Sequence, residues 1–172
     1  LVVLEAVANA DNVGGVFRNA AAFGADAVLL DPTCADPLYR KAIRTSMGAS
    51  LSVPFVRLGA QAALKCELTP GVPARTLPEL SSVLRERGFE VLALTPQPPS
   101  VELETWASSA SPRARRALLL GAEGAGLSAD ALAHATLRLR IAMRSGIDSL
   151  NLSVACGIVL QRVHALESRR GS

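Results

Sequence analysis

Aromatic residues are scarce in this chain: one Trp, one Tyr and four Phe make up 3% of 172 residues. A sheet that stacks bases on ranks of exposed rings, as an RRM does, cannot be built from so few. Lysine is nearly missing too, with Lys41 and Lys65 alone among 18 basic residues. The three cysteines, Cys34, Cys66 and Cys156, have an odd count and no short spacing. That excludes a CxxC-type zinc site and argues against a disulfide framework, leaving reduced thiols. No apolar run approaches the ~18 residues of a membrane span. No charged segment followed by an apolar one opens the chain, so no secretory signal is read and a cytoplasmic location is expected. The first residue is Leu1 rather than Met, which suggests that something N-terminal has been left off.

What remains is ample for a fold. Hydrophobic residues make up 49% of the chain and charged residues 19%, enough for one domain with a full core. Disorder, which needs low hydrophobicity and high net charge, is excluded. The net charge of +3 is modest but Arg-dominated, and planar guanidinium forks suit phosphate. A nucleic-acid partner is thus allowed but not demanded.

Apolar β-favouring runs alternate with helix-period stretches. Strands are read at Leu1–Val7, Ala27–Leu30, Val53–Val56, Phe89–Leu94, Ala117–Leu120 and Leu137–Ile141. Helices are read at Val13–Phe23 (stopped by Gly24), Leu38–Ser46, Leu77–Arg87, Leu103–Ala107, from Ser128 to His134, and Leu150–Leu166. The Gly/Pro-containing connection over 59–75 is left unassigned. The expectation is an α/β fold, a mostly parallel sheet flanked by helices, with ligands gathering outside the carboxyl ends of strands.

Three loops at such ends carry the unusual polar residues. In Asn9–Arg18, Asn12 opens a helix and Arg18 follows about a turn and a half later. An N-cap and a surface charge would account for both, but the paired Gly14-Gly15 in that turn suggests that another chain or ligand comes close. In Gly121–Ser128 the glycines run GxxGxG with no following Lys, so neither a P-loop nor a dinucleotide fingerprint is present. Glu123 lies inside this loop, as a turn cap or as something more. In Met143–Asn151, Ser149 could cap the last helix, and Asn151 is then an odd choice so close to its start. No GxSxG elbow or Ser-His-Asp set supports a hydrolase, and His134 and His164 sit on helices as structural or surface residues.

Taken together, the segments NVGGVFRNAAAFG, LLLGAEGAGLS and LRIAMRSGIDSLNLSVACGIVL, with RTSMGAS between the first two, resemble the SpoU (TrmH-like) branch of the SPOUT RNA methyltransferases. The resemblance covers almost the whole chain. It implies a deep trefoil knot near the C-terminus holding S-adenosyl-L-methionine, methyl transfer to a ribose 2′-hydroxyl of RNA, and an active site at a homodimer interface. By motif position, Asn12, Arg18, Glu123, Ser149 and Asn151 match the family's functional polar residues. Gly121, Ile141 and Leu150 match positions whose backbone holds the cofactor's adenine end, and Thr95 looks like a further contact. The resemblance also implies that residues 1–172 are the catalytic domain, with an N-terminal RNA-binding domain absent, and it favours ribosomal over transfer RNA.

The chemistry asks for alignment of a weakly acidic hydroxyl with the methyl group and loss of its proton during attack. A guanidinium holds its proton tightly, so Arg18 is read as a stabiliser of developing alkoxide and a phosphate anchor, with base action left open. Glu123 is expected to hold Arg18 in a charge-assisted pair, Asn12 to orient Arg18 or the ribose, and Ser149 and Asn151 to position loop and substrate. Arg40, Lys41 and Arg44 on one short helix, and Arg113, Arg115 and Arg116 in a second cluster, are candidate RNA contacts. Solvated faces would explain either cluster equally well. No metal is expected. The competing function is a cofactor- and RNA-binding module that needs a missing domain or partner for activity. A dinucleotide-dependent oxidoreductase is disfavoured because the turn after the first strand lacks the fingerprint.

Overall fold

The computed structural model describes residues 1–59 and 76–168; Cys66 and most of the 59–75 connection lie outside these. The strands are β1 (Val2–Leu4), β2 (Val28–Leu30), β3 (Phe55–Arg57), β4 (Phe89–Leu94), β5 (Val101–Glu102), β6 (Arg115–Leu120) and β7 (Leu137–Arg140). They form one all-parallel sheet in the order β3-β2-β1-β6-β4-β7-β5. The helices are α1 (Ala10–Phe23), α2 (Arg40–Thr45), α3 (Leu77–Glu86), α4 (Leu103–Ser109), α5 (Ala129–His134) and α6 (Leu152–Ser168), with a 3-10 turn at Ala49–Leu51.

Alternation along the strands divides the core in two. Val2, Leu4, Val28, Leu118 and Leu120 point to one face, where α1, α4 and α6 cover them. Val3, Leu29, Val91, Ala117 and Leu119 point to the other, under α3 and α5. Both faces are covered, which is why the strands read as continuous apolar runs rather than alternating ones.

Several boundaries differ from the sequence reading for local reasons. The first strand stops at Leu4 instead of Val7, because Ala6 turns with φ +54° and gives its N–H to the Asp31 carboxylate at 2.8 Å. Helix α1 starts at Ala10, capped by Asn9, whose side chain accepts the Asp11 N–H at 2.9 Å. Asn12 is therefore not the cap but a buried residue of the first turn, 3% exposed. Strand β5 was missed; at two residues it is too short to show a period. Gly24 does close α1 in the left-handed conformation, and the Ser128 hydroxyl does cap α5.

The glycine pair in α1 marks close approach, but by the chain's own helices. A Cβ on Gly14 would sit 2.6 Å from the Ala42 carbonyl oxygen of α2, and one on Gly15 would sit 2.5 Å from Cβ of Ser153 in α6. Asn19 fastens the same crossing, donating to the Ser153 carbonyl at 2.6 Å. Among the described residues no helix is long and apolar enough to cross a membrane.

Gly14→Ala should destabilise the fold by about 1–3 kcal/mol through overpacking against a backbone oxygen that cannot swing away. Calorimetry should show a melting temperature lower by roughly 3–9 °C; an unchanged value would contradict the close packing. Burial pushes the Cys34 and Cys156 thiols up to about 12. At pH 8 both are therefore protonated in the native state, and alkylation followed by peptide mapping should label neither until the protein is unfolded. The sign is that of a raised pKa: their contribution to stability is complete below the unfolded thiol value of ~8.5 and is lost as pH climbs towards the folded value.

Candidate active site

A cavity of about 350 Å³ opens at the carboxyl ends of β4, β6 and β7. Its walls come from the segment after β4 (Thr95, Gln97), the loop 121–127 after β6, and the segment leading into α6 (Ile141, Met143, Leu150). The 121–127 loop folds back on itself: Ala122 and Gly126 form an antiparallel bridge, and the Gly126 N–H donates to the Ala122 carbonyl at 2.9 Å. A Cβ on Gly121 would collide with the Gly126 backbone, and Gly124 and Gly126 take φ +87° and +70°. The GxxGxG order thus serves the loop's own tight return.

The loop is fixed at both ends. Glu5, just past β1, accepts the Ser128 N–H on Oε2 at 2.8 Å. At the other end Glu123 accepts from Asn151 Nδ2 at 3.0 Å. The same amide donates to Asn12 Oδ1 at 2.9 Å. Asn151 also caps α6: its Oδ1 accepts from the Ser153 N–H at 3.0 Å, the Ser153 hydroxyl at 2.7 Å and the Val154 N–H at 3.3 Å. One side chain thereby joins α1, the glycine loop and the last helix. Its presence so near a helix start, odd in the sequence, is explained by capping.

Placement of the other candidates follows. Thr95, Gly121, Glu123, Ile141, Ser149, Leu150 and Asn151 all line the cavity, whereas Asn12 joins it through Asn151. Ser149 lies in the exposed segment before α6 and does not cap it. Thr95 is buried; its N–H donates to the Leu139 carbonyl at 2.8 Å and its hydroxyl accepts the Gln97 N–H at 3.2 Å. Arg18 is exposed on α1, about 9 Å further along the helix axis than Asn12, and does not line the cavity. The expected pair between Glu123 and Arg18 is not formed; Glu123 is engaged by Asn151 instead, because the loop reaches α6 rather than the middle of α1.

The basic clusters separate cleanly. Arg40 and Arg44 are exposed on α2, while Lys41 is held by Asp11 at 2.6 Å, with the Thr45 hydroxyl on the same carboxylate at 3.0 Å. The bond from Lys41 keeps the Asp11 carboxyl below its ordinary value. Arg116 is no RNA contact. It is 6% exposed, binds Glu90 at 3.3 Å and the Ser111 carbonyl, and lies over the Trp106 ring. Arg115 stacks on Phe89 at 4.1 Å. Glu5, Gln97 and Met143 were missed by the sequence reading. Their position just beyond strand ends was the available signal.

An all-parallel sheet with a glycine-looped cavity at its carboxyl edge defines an α/β ligand-binding domain. The SpoU rRNA Methylase family model matches residues 1–161. The chain belongs to this family of RNA methyltransferases. An uncharacterized tRNA/rRNA methyltransferase of Mycobacterium tuberculosis is 42% identical over 158 residues, 92% of this chain and 49% of its own length. The 23S rRNA (guanosine(2553)-2′-O)-methyltransferase RlmP of Bacillus subtilis is 30% identical over 162 residues, 93% of this chain and 56% of that protein. The AdoMet-bound rRNA methyltransferase from Sinorhizobium meliloti superposes with a TM-score of 0.77 at 26% identity, over 95% of this chain and 55% of that one. The chain spans about half the length of the curated relatives it matches.

Asn151→Ala removes the cap and the donor shared by Asn12 and Glu123. It should cost about 1–3 kcal/mol in denaturant unfolding. Asn12→Ala, with the cap intact, should cost less; equal losses would mean that the cap contributes nothing.

Proposed function

We propose that residues 1–172 form the catalytic domain of a methyltransferase that uses S-adenosyl-L-methionine to methylate a ribose 2′-hydroxyl in RNA, ribosomal RNA before transfer RNA, in the cytoplasm and as a homodimer. The observation that carries this reading is the Asn12–Asn151–Glu123 link at the mouth of the cavity. Polar residues of two separate motifs meet there on the amide of a third.

The cavity suits the cofactor. Its volume lies in the range of small-molecule sites, with apolar walls at Leu94, Leu120 and Ile141 and polar groups at the rim. Gly121, Ile141 and Leu150 would hold the adenine end, Thr95 would make a further contact to the cofactor, and the family's C-terminal knot would supply the seat. When bound, the cofactor supplies an electrophilic methyl on a sulfonium. Glu123 and Asn12 fix the Asn151 amide from either side, and so set the edge that the loop presents to the ribose. Ser149 stands beside them on the exposed segment as a further hydroxyl for substrate. Arg18 brings a permanent positive charge to the developing alkoxide.

Its distance from the cavity supports the dimer. Arg18 neighbours Asn19, which is bonded to the first turn of α6, and from that helix Val154 and Ile158 project into solvent one turn apart. The stretch 150–161 has no charged residue. An uncharged apolar edge beside Arg18 suits a second copy, whose cavity Arg18 would complete.

Arg18→Ala should lower methyl transfer to RNA by at least ~10²-fold while leaving cofactor affinity by calorimetry unchanged. Wild-type turnover in this variant would overturn the assignment. Arg18→Ala and Glu123→Ala chains, each inactive alone, should regain activity when mixed as heterodimers, because one of the two sites is then intact. Continued inactivity of verified heterodimers would place Arg18 in its own chain's site.

A further inference from the structure

Among the described residues the large exposed hydrophobic side chains fall into two stretches. One is Ile147, Leu150, Val154 and Ile158, of which Val154 and Ile158 form the edge just assigned to a second copy. The other is Leu38, Tyr39, Met47 and Leu51, which brackets α2 and the following turn. Charge distinguishes them. The stretch 38–51 contains Arg40, Lys41 and Arg44 and no carboxylate. Apolar surface interleaved with cations fits a polyanion whose units also have flat apolar faces.

Tyr39 is the only tyrosine of the chain and is 60% exposed. Its backbone is fixed, the N–H donating to the Asp36 carbonyl and the carbonyl accepting the Ile43 N–H, each at 3.0 Å. Its ring has no ring partner and its hydroxyl no hydrogen bond among the described residues. Arg40 and Arg44, one helical turn apart on α2, are exposed and have no ion pair among the described residues. The platform is also rigidly tied to the candidate site. Lys41 and Thr45 both bind Asp11, the residue before Asn12, and Ala42 seats against Gly14 in the same helical turn.

We propose that Tyr39 is a stacking platform for an unpaired base of the substrate RNA, flanking the nucleotide to be methylated, with Arg40 and Arg44 on the adjoining phosphates. The proposal rests on the RNA reaction above and narrows its substrate. Bases within a duplex already stack on their neighbours, so a lone exposed ring can take only a base that has left its helix. The methylated ribose then lies in a loop, bulge or single strand. A tyrosine ring serves this well because it has few torsions to immobilise, and one ring suffices for one base.

The test is fluorescence anisotropy at fixed ionic strength on the full chain, with a labelled polyadenylate of about 20 nucleotides and a blunt polyadenylate–polyuridylate duplex of the same length. Tyr39→Ala should weaken binding to the single strand about tenfold and leave the duplex unchanged, whereas Tyr39→Phe should match wild type. Far-UV dichroism and cofactor affinity should be unaltered in both variants. Failure of wild type to bind the single strand, equal loss on both RNAs, or no loss at all would overturn the platform. A shift of Tyr39→Ala from dimer to monomer in sedimentation would overturn it as well, assigning the surface to a second copy. Methyl-transfer assays separate the two levels. If wild type binds as described but transfers no methyl group to any cellular RNA, the proposed reaction fails while the platform stands.

Discussion

The Asn151 amide is the constraint on which the candidate site depends. Its nitrogen lies between two oxygen acceptors, on Asn12 and Glu123, and its oxygen closes the start of α6. A carboxylate in its place would keep the cap but face Glu123 with like charge. An alanine would lose both. Amides offer donor and acceptor on one short stem, and few other side chains could satisfy these three segments at once. Asn12 is buried, so its oxygen would bear a desolvation penalty without this partner.

Around this hub the backbone is brought close wherever side chains are smallest. Gly14 admits α2, Gly15 admits α6, and Gly121 admits the returning limb of its own loop. These close approaches pin the 121–127 loop and the start of α6 against the helices, so the candidate side chains Glu123 and Asn151 are held by fixed neighbours although they lie outside regular elements. Glu5 contributes from a distance, tying the loop's far end to the central part of the sheet.

Much of the fold was legible in the sequence, because buried parallel strands are continuous apolar runs and helices announce their ends. Gly24 and Ser128 were read correctly for that reason. Periodicity could not choose between two nearby asparagines, and Asn9 rather than Asn12 caps α1; nor could it see tertiary structure, in which Arg116 spends its charge inside the protein on Glu90 and Trp106. The glycine pair did signal close approach, yet nothing local could say that the neighbour was Ala42 or Ser153. In the candidate site, two of the three loops, after β6 and before α6, line one cavity, and Asn12 of the third joins it through Asn151. Within one chain Glu123 bonds Asn151 and not Arg18, since pairing there is decided by where the loop meets α6 and not by the chemistry of the two residues alone.

The position of β6 has a consequence for synthesis. It lies between β1 and β4, so the inner edge of β1 is covered only when Val2–Leu4 pair with Leu118–Leu120. On a ribosome adding roughly 5–20 residues per second, that partner emerges on the order of ten seconds after β1. During the interval a fully apolar strand has one open flank, an edge on which a neighbouring chain can pair.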